Sequence, residues 1–258
     1  MGVLGPLEVT VDGVAVEVGG TRLRALLTRL ALDPGRTVSV GALVDAVWGD
    51  APPAEPANAL QSLVSRLRRA VPGLPLVSGP GGYRLDLPAD AVDAHRFERL
   101  AREGARALRS DDPAGAATVL AESLSLWRGP ALSDVAGADF AVAADARLSE
   151  LRLTVTEDRV EAQLRLGADA ALLGAELDGL AAAHPLRERT WALRMRALAA
   201  AGRTAEALAA YEEVRARLAD TFGADPSAEL RDAHLAVLRG ATGPTPRPRR
   251  RSGTCGRP

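Results

Sequence analysis

NALQSLVSRLRR, residues 58–69, is the stretch whose reading decides the fold. Leu60, Leu63, Val64 and Leu67 fall at i, i+3, i+4 and i+7, so they share one face of a helix. At about 100° per residue the opposite face carries Asn58, Ser62, Ser65 and Arg69, flanked by Gln61 and Arg66. The stretch contains no acid. Glu55 stands just before it, where the helix dipole favours a negative charge. Asn, Gln, Ser and Arg are the side chains that hydrogen-bond base edges and phosphates. Taken alone, the same face also fits an ordinary solvated helix, because arginines are common on such faces.

The flanking sequence narrows the choice. Leu7, Val9 and Val11, then Val14, Val16 and Val18, alternate at period two, and Asp12-Gly13 between them reads as a two-residue hairpin turn. Leu23, Leu26, Leu27, Leu30 and Ala31 form a second apolar stripe at helical spacing, closed by Pro34-Gly35. Ser39 is placed to cap a further short helix with Leu43, Val44, Val47 and Trp48 inward. Pro52-Pro53 stops it, and Pro56 suits the first turn of the next helix. After residue 69, Leu76-Val77 and Tyr83-Leu85-Leu87 read as two strands around the turn Gly79-Pro80-Gly81-Gly82. Two strands, three helices and a hairpin, with the polar helix third, make an α+β winged helix-turn-helix over residues 1–88. Such a fold lays its third helix in the major groove of double-stranded DNA.

Residues 89–92 read as a linker, and residues 93–240 as an all-α, tetratricopeptide-like repeat domain. Gly167-Ala168-Asp169-Ala170-Ala171-Leu172 opens one helix. Gly202-Arg203-Thr204-Ala205-Glu206-Ala207-Leu208 opens another 35 residues later, close to the tetratricopeptide period of about 34. Asp111-Asp112-Pro113-Ala114-Gly115 is a looser start of the same kind. Arrays of this type offer concave surfaces to partners. Trp127 and Trp191 sit in apolar helical stripes and are expected to pack in the core rather than hold a ligand.

Charge does not mark the chain as a nucleic-acid binder. Residues 1–88 hold eight Arg and eight acids, residues 89–240 hold 19 Arg and 25 acids, and residues 241–258 hold five Arg and no acid. The basic signal is local: Arg66, Arg68 and Arg69, with Arg22, Arg24, Arg29 and Arg36 in and after the first apolar helix. No catalytic, cofactor or metal site is expected. His95 and His184 have only Glu98 and Glu188 at ligand spacing, which makes weak pairs, and no G-x-x-x-x-G-K-[ST] loop occurs. Control by phosphorelay is not expected either, since the residues before the winged helix do not read as a receiver domain. The single Cys255 fits a reducing compartment, and no apolar run approaches a membrane span, so a cytoplasmic location without membrane partners is expected. The tail, residues 241–258 with its Pro and Arg, cannot build a core and is expected to be disordered.

Several motifs together resemble one family. Residues 2–88 resemble the winged-helix DNA-binding domain of the OmpR class in the variant found in the Streptomyces antibiotic regulatory proteins (SARPs): LGPLEV (4–9), LVDAVWGD (43–50), NALQSLVSRLRRA (58–70) and GGYRL (81–85). Residues 93–239 resemble the bacterial transcriptional activation domain of the same family. Its motifs are DAHRFERL (93–100), LWRGPAL (126–132), HPLRERTWALRMRAL (184–198), GRTAEALAAYEEVR (202–215) and GADPSAELRDAHLAVL (223–238). The resemblance implies a transcriptional activator that binds direct repeats near promoters. It also implies self-association on DNA, contact with RNA polymerase and its principal sigma factor, and control of an antibiotic biosynthesis cluster. Arg66 matches the base-contacting arginine of the OmpR class. Asn58, Gln61, Ser62 and Ser65 then accompany it in the groove, Arg68 and Arg69 serve mainly phosphates, and Arg84 is the wing arginine. The wing departs from its relatives at Gly79, where family members often carry an arginine. A repressor of the same architecture, or an adaptor working through its repeats, uses the same parts. Residues 1–92 alone are expected to bind one half-site.

Overall fold

Asp12 and Gly13 both adopt positive φ, 50° and 81°, the backbone that a two-residue type I′ turn requires. They join β1 (Val9–Val11) to β2 (Val14–Val16), with Val11 opposite Val14. The computed structural model describes residues 1–240, so the expectation for the tail lies outside the described residues. Helix α1 (Thr21–Ala31) buries Leu23, Leu26, Leu27, Leu30 and Ala31. Ser39 caps α2 (Val40–Trp48) by accepting from the Ala42 amide at 3.2 Å. Leu43 and Val44 are buried there, while Val47 and Trp48 are only half-buried. Helix α3 (Pro56–Ala70) has Pro in its first turn and buries Leu60, Leu63, Val64 and Leu67, the stripe the spacing predicts.

The wing is a three-stranded antiparallel sheet rather than a lone hairpin. Strand β3 (Val38–Ser39) pairs with β5 (Gly82–Leu85), which pairs with β4 (Leu76–Gly79), in the order β3-β5-β4. Leu87 lies beyond the last strand, because the chain has already left the ladder at Leu85. Gly82 shows why the GGY motif needs glycine. Its φ is +144°, and a Cβ there would stand 2.0 Å from the Val38 carbonyl oxygen. Only a residue without a side chain lets β3 close on β5.

Helices α4 (Asp93–Arg109), α5 (Pro113–Ser125), α6 (Asp139–Arg165), α7 (Ala170–Ala183), α8 (Glu188–Ala200), α9 (Thr204–Phe222) and α10 (Ala228–Leu238) follow. The turns α4–α5, α6–α7 and α8–α9 are built alike. Asp111, Gly167 and Gly202 each have positive φ. The next residue's amide closes back on the helix: Asp112 to the Ala107 carbonyl at 3.0 Å, Ala168 to Gln163 at 3.0 Å, and Arg203 to Leu198 at 2.8 Å. That is one helix-ending motif used three times, and it accounts for the looser start at Asp111. The aspartate tolerates the left-handed backbone where the other two turns use glycine.

The chain divides into two compact units, residues 1–159 and the residues from Val160 onward. In the second unit Trp191, Met195, Leu198, Tyr211, Val214 and Leu230 form one apolar cluster. Trp191 donates to the Pro185 carbonyl at 3.0 Å, which satisfies its buried N–H. In the first unit Phe97 meets Trp127 edge-on at 5.3 Å, and Arg152 covers the Trp127 ring at 4.5 Å. Both tryptophans are therefore packed.

Candidate nucleic-acid interface

Helix α3 presents an exposed polar face. Asn58, Gln61, Ser62, Ser65, Arg66, Arg68 and Arg69 are all exposed. The Gln61, Ser62, Ser65 and Arg66 side chains have no hydrogen-bond or ion-pair partner among the described residues. Burial of Leu60, Leu63, Val64 and Leu67 against the domain fixes the helix about its axis, so this face must point outward. Asn58 is instead turned back onto Glu55, to which its amide donates. Arg69 makes only a long 3.4 Å bond to the Ser65 carbonyl.

Arg68 is held differently from its neighbours. Its guanidinium donates to the Leu76 carbonyl at 2.8 Å and to the Ser78 hydroxyl at 2.9 Å. It thereby ties the C-terminal turn of α3 to wing strand β4. Arg84, on β5 opposite Val77, is half-buried, with its Nε 3.3 Å from the Asp86 carboxylate. Gly79, at the wing tip, is exposed, and a Cβ placed there would meet nothing within 4 Å.

The other arginines counted toward a basic surface are mostly committed elsewhere. Arg24 pairs with Asp134 at 2.8 Å and donates to the Val18 carbonyl. Arg29 pairs with Asp33, and Arg22 lies over the Trp48 ring at 5.9 Å. The free positive charge of the winged helix is thus narrower than the sequence count suggests: Arg24 and Arg29 are neutralised, while Arg66, Arg69, Arg36 and Arg22 are exposed and have no ion-pair partner among the described residues.

Sequence reasoning missed what holds the winged helix to the helices that follow it. Asp93 accepts from the Val3 amide at 2.7 Å, the Leu4 amide at 3.1 Å and the Arg128 guanidinium at 3.1 Å. Arg128 also reaches Glu8 at 2.8 Å and the Pro6 carbonyl at 2.9 Å. The Arg128 amide donates to Leu4 at 2.8 Å, the Leu132 amide donates to Val3 at 2.9 Å, and Asp134 accepts from the Leu7 amide. Gly5, at φ +148°, lies against Arg128, where a Cβ would come within 3.0 Å of the arginine Cβ. The LGPLEV and LWRGPAL motifs are therefore two halves of one contact. The segment 89–92, read as a linker, contains a 3₁₀ turn (Ala89–Ala91), and the following Asp93 amide donates to the Met1 carbonyl at 3.0 Å.

Comparison with known proteins agrees with this architecture. Residues 18–79 match the family described as "Transcriptional regulatory protein, C terminal", and residues 92–238 match "Bacterial transcriptional activator domain". The regulatory protein DnrI of Streptomyces peucetius is 40% identical over 252 residues, covering 93% of this chain and 92% of DnrI. The chain belongs to the SARP family. AfsR of Streptomyces griseus is 40% identical over 237 residues, but this chain spans only 24% of its length. The solved structure of Mycobacterium tuberculosis EmbR in complex with a low-affinity phosphopeptide superposes with a TM-score of 0.86 at 34% identity, covering 92% of this chain and 64% of that one. A winged helix followed by a helical domain is thus the SARP architecture here too. These relatives carry the names of regulatory proteins. Among the described residues no helix is long and apolar enough to cross a membrane.

Proposed function

We propose that this SARP activates transcription by reading direct repeats near a promoter with α3 and its wing, and by recruiting RNA polymerase through its principal sigma factor. The observation that carries the reading is the outward face of Gln61, Ser62, Ser65 and Arg66, whose side chains have no partner among the described residues. Exposed, unspent donors at the spacing of one helix face are what major-groove readout needs. Arg66 reads bases, Asn58, Gln61, Ser62 and Ser65 line the groove beside it, and Arg69 neutralises phosphate. Arg68 braces the wing with one end of its guanidinium on β4, and Arg84 supplies the wing's own arginine contact to the DNA backbone. The regulated genes are those of an antibiotic cluster, a proposal supported by membership of the SARP family. Two copies side by side on a repeat raise each other's effective concentration. A protein acting this way works in the cytoplasm.

Selection of bound duplexes from a random pool, followed by run-off transcription with purified polymerase, tests the proposal. It expects an enriched pair of direct repeats and increased transcript. Enrichment with reduced transcript would turn the reading to a repressor. No enrichment would leave the repeat domain as the working part of an adaptor.

A further inference from the structure

The acidic helical segment carries one basic feature that the reading above leaves unused. Arg102, Arg106 and Arg109 lie at i, i+4 and i+7 on α4, all exposed. None has a hydrogen-bond or ion-pair partner among the described residues. Most other arginines on this segment are paired: Arg96 to Glu122 at 2.6 Å, Arg99 to Asp90 at 2.7 Å, and Arg147 to Glu98. Three unspent guanidiniums in line are therefore a local departure from the neighbouring pattern.

Beside them runs a groove of about 300 Å³ between α4 and α6, wholly inside the first compact unit. Ala101, Ala105, Leu151 and Val155 form its apolar floor; Thr154 and Asp158 complete the lining, and the Asp158 side chain is buried and already engaged. Arg102 stands on its rim, and the Glu98–Arg147 ion pair closes one end. The floor residues on α4 are small, so the two helices leave room where larger side chains would fill it. This volume is at the low end of ligand cavities, roughly 300–1,000 Å³, and the groove lies open along its length. It suits the side-chain anchors of a docked segment better than an enclosed small molecule. The first helices of successive repeats flank it, which is the surface that solenoid arrays use for partners.

We propose that this groove docks an acidic amphipathic helix of a partner protein. Its aliphatic side chains lie on Ala101, Ala105, Leu151 and Val155, and its carboxylates face Arg102, Arg106 and Arg109. Charge complementarity selects this occupant: an apolar floor with Arg102 on its rim, and Arg106 and Arg109 continuing the basic row along α4 beyond it, disfavours a basic helix, and the sugar-phosphate backbone of DNA has no apolar anchors to fill the floor. The proposal rests on the helical segment contacting protein, and it is independent of which bases α3 reads.

The test uses the full chain and a fluorescent helical peptide with leucines at i, i+3 and i+7 and glutamates on both flanks, read by anisotropy. Saturable binding is expected for this probe. The same peptide with lysines for glutamates should fail to bind. Arg102→Gln with Arg106→Gln, both exposed positions whose change leaves the melting temperature alone, should weaken binding roughly tenfold or more, and added salt should weaken it in parallel. Leu151→Glu should weaken it separately through the floor. Equal binding of the lysine peptide, or no response to the arginine changes, would overturn the proposal. A loss of duplex DNA affinity in the arginine variant with no peptide binding would also overturn it and assign the stripe to phosphate. DNA affinity in that variant is measured alongside, so failure of the groove is separable from failure of DNA binding.

Discussion

Arg66 and Arg68 are two residues apart in one motif, yet they sit in opposite situations. Arg66 is exposed and unpartnered, while Arg68 is spent on the Leu76 carbonyl and the Ser78 hydroxyl. Arg66→Ala should cost roughly 1–3 kcal/mol on the specific duplex and relax base preference, with little change on a scrambled duplex. Titration of both duplexes checks it, and equal losses on the two would sink the base-reading role. Arg68→Ala should instead loosen the wing before any DNA is present. Faster amide exchange at residues 77–82 of the free protein is the expected reading, and unchanged exchange there would return Arg68 to the phosphate contacts. The sequence could place both arginines on the helix, because helical spacing is local. It could not tell that one of them was already bonded, since its partners come from a strand that only the fold brings near.

At the scale of elements, periodicity found the helices and strands whose stripes face a core, and it missed the pieces defined by pairing. Strand β3 has two residues, too few for alternation to register, and exists because Gly82 admits it. The wing tip gives a further prediction. Gly79 is exposed with open space around it, so Gly79→Arg should fold normally and add a guanidinium near the minor groove. The salt dependence of binding should steepen by about one phosphate equivalent. A parallel slope in wild type and variant would mean that the wing does not approach the backbone. In the second compact unit, Glu161 on α6 meets Arg189 at 3.1 Å and Arg196 at 3.9 Å, both on α8, as well as Arg165 on its own helix. Burial alone would raise its carboxyl, but the three guanidiniums outweigh burial and hold it below the ordinary 4.5. A carboxyl depressed in the folded state stabilises the fold above the ordinary value and loses that contribution as pH falls through the lowered one. Glu161→Gln should therefore cost about 1–2 kcal/mol at neutral pH, with the gap to wild type closing as pH falls below the ordinary 4.5 and through the lowered value. Arg189 also reaches Glu229 on α10 at 3.9 Å, which leaves it partly compensated in the variant. Melting curves at a series of pH values would show a pH-independent gap if Glu161 contributed packing alone.

For the molecule as a whole, the sequence motifs suggest a winged helix that ends near residue 88, and the contacts continue past it. Asp93, Arg128, Leu132 and Asp134 all bond to the segment 3–8 or to α1, and His95 reaches the Leu32 carbonyl at 3.1 Å. These partners are 90 or more residues apart in places, so no local pattern announces them. Asp93 by itself reads only as an acid in the first turn of a helix. The isolated fragment 1–92 is consequently a poor test of DNA binding. Cutting after residue 92 removes the groups that bond the Val3 and Leu4 backbone, and both of those side chains are buried. Uncovering two such side chains costs up to about 3–6 kcal/mol, a large share of the roughly 5–15 kcal/mol that stabilises a domain. We expect fragment 1–92 to lack a cooperative melt, whereas fragment 1–159, the whole first unit, unfolds cooperatively and binds one half-site. Asp93→Ala in the full chain should move the same way in milder form. Calorimetry of the two fragments decides it: a cooperative transition in 1–92 at the temperature of 1–159 would mean that the Asp93 and Arg128 contacts join two independent domains rather than complete one.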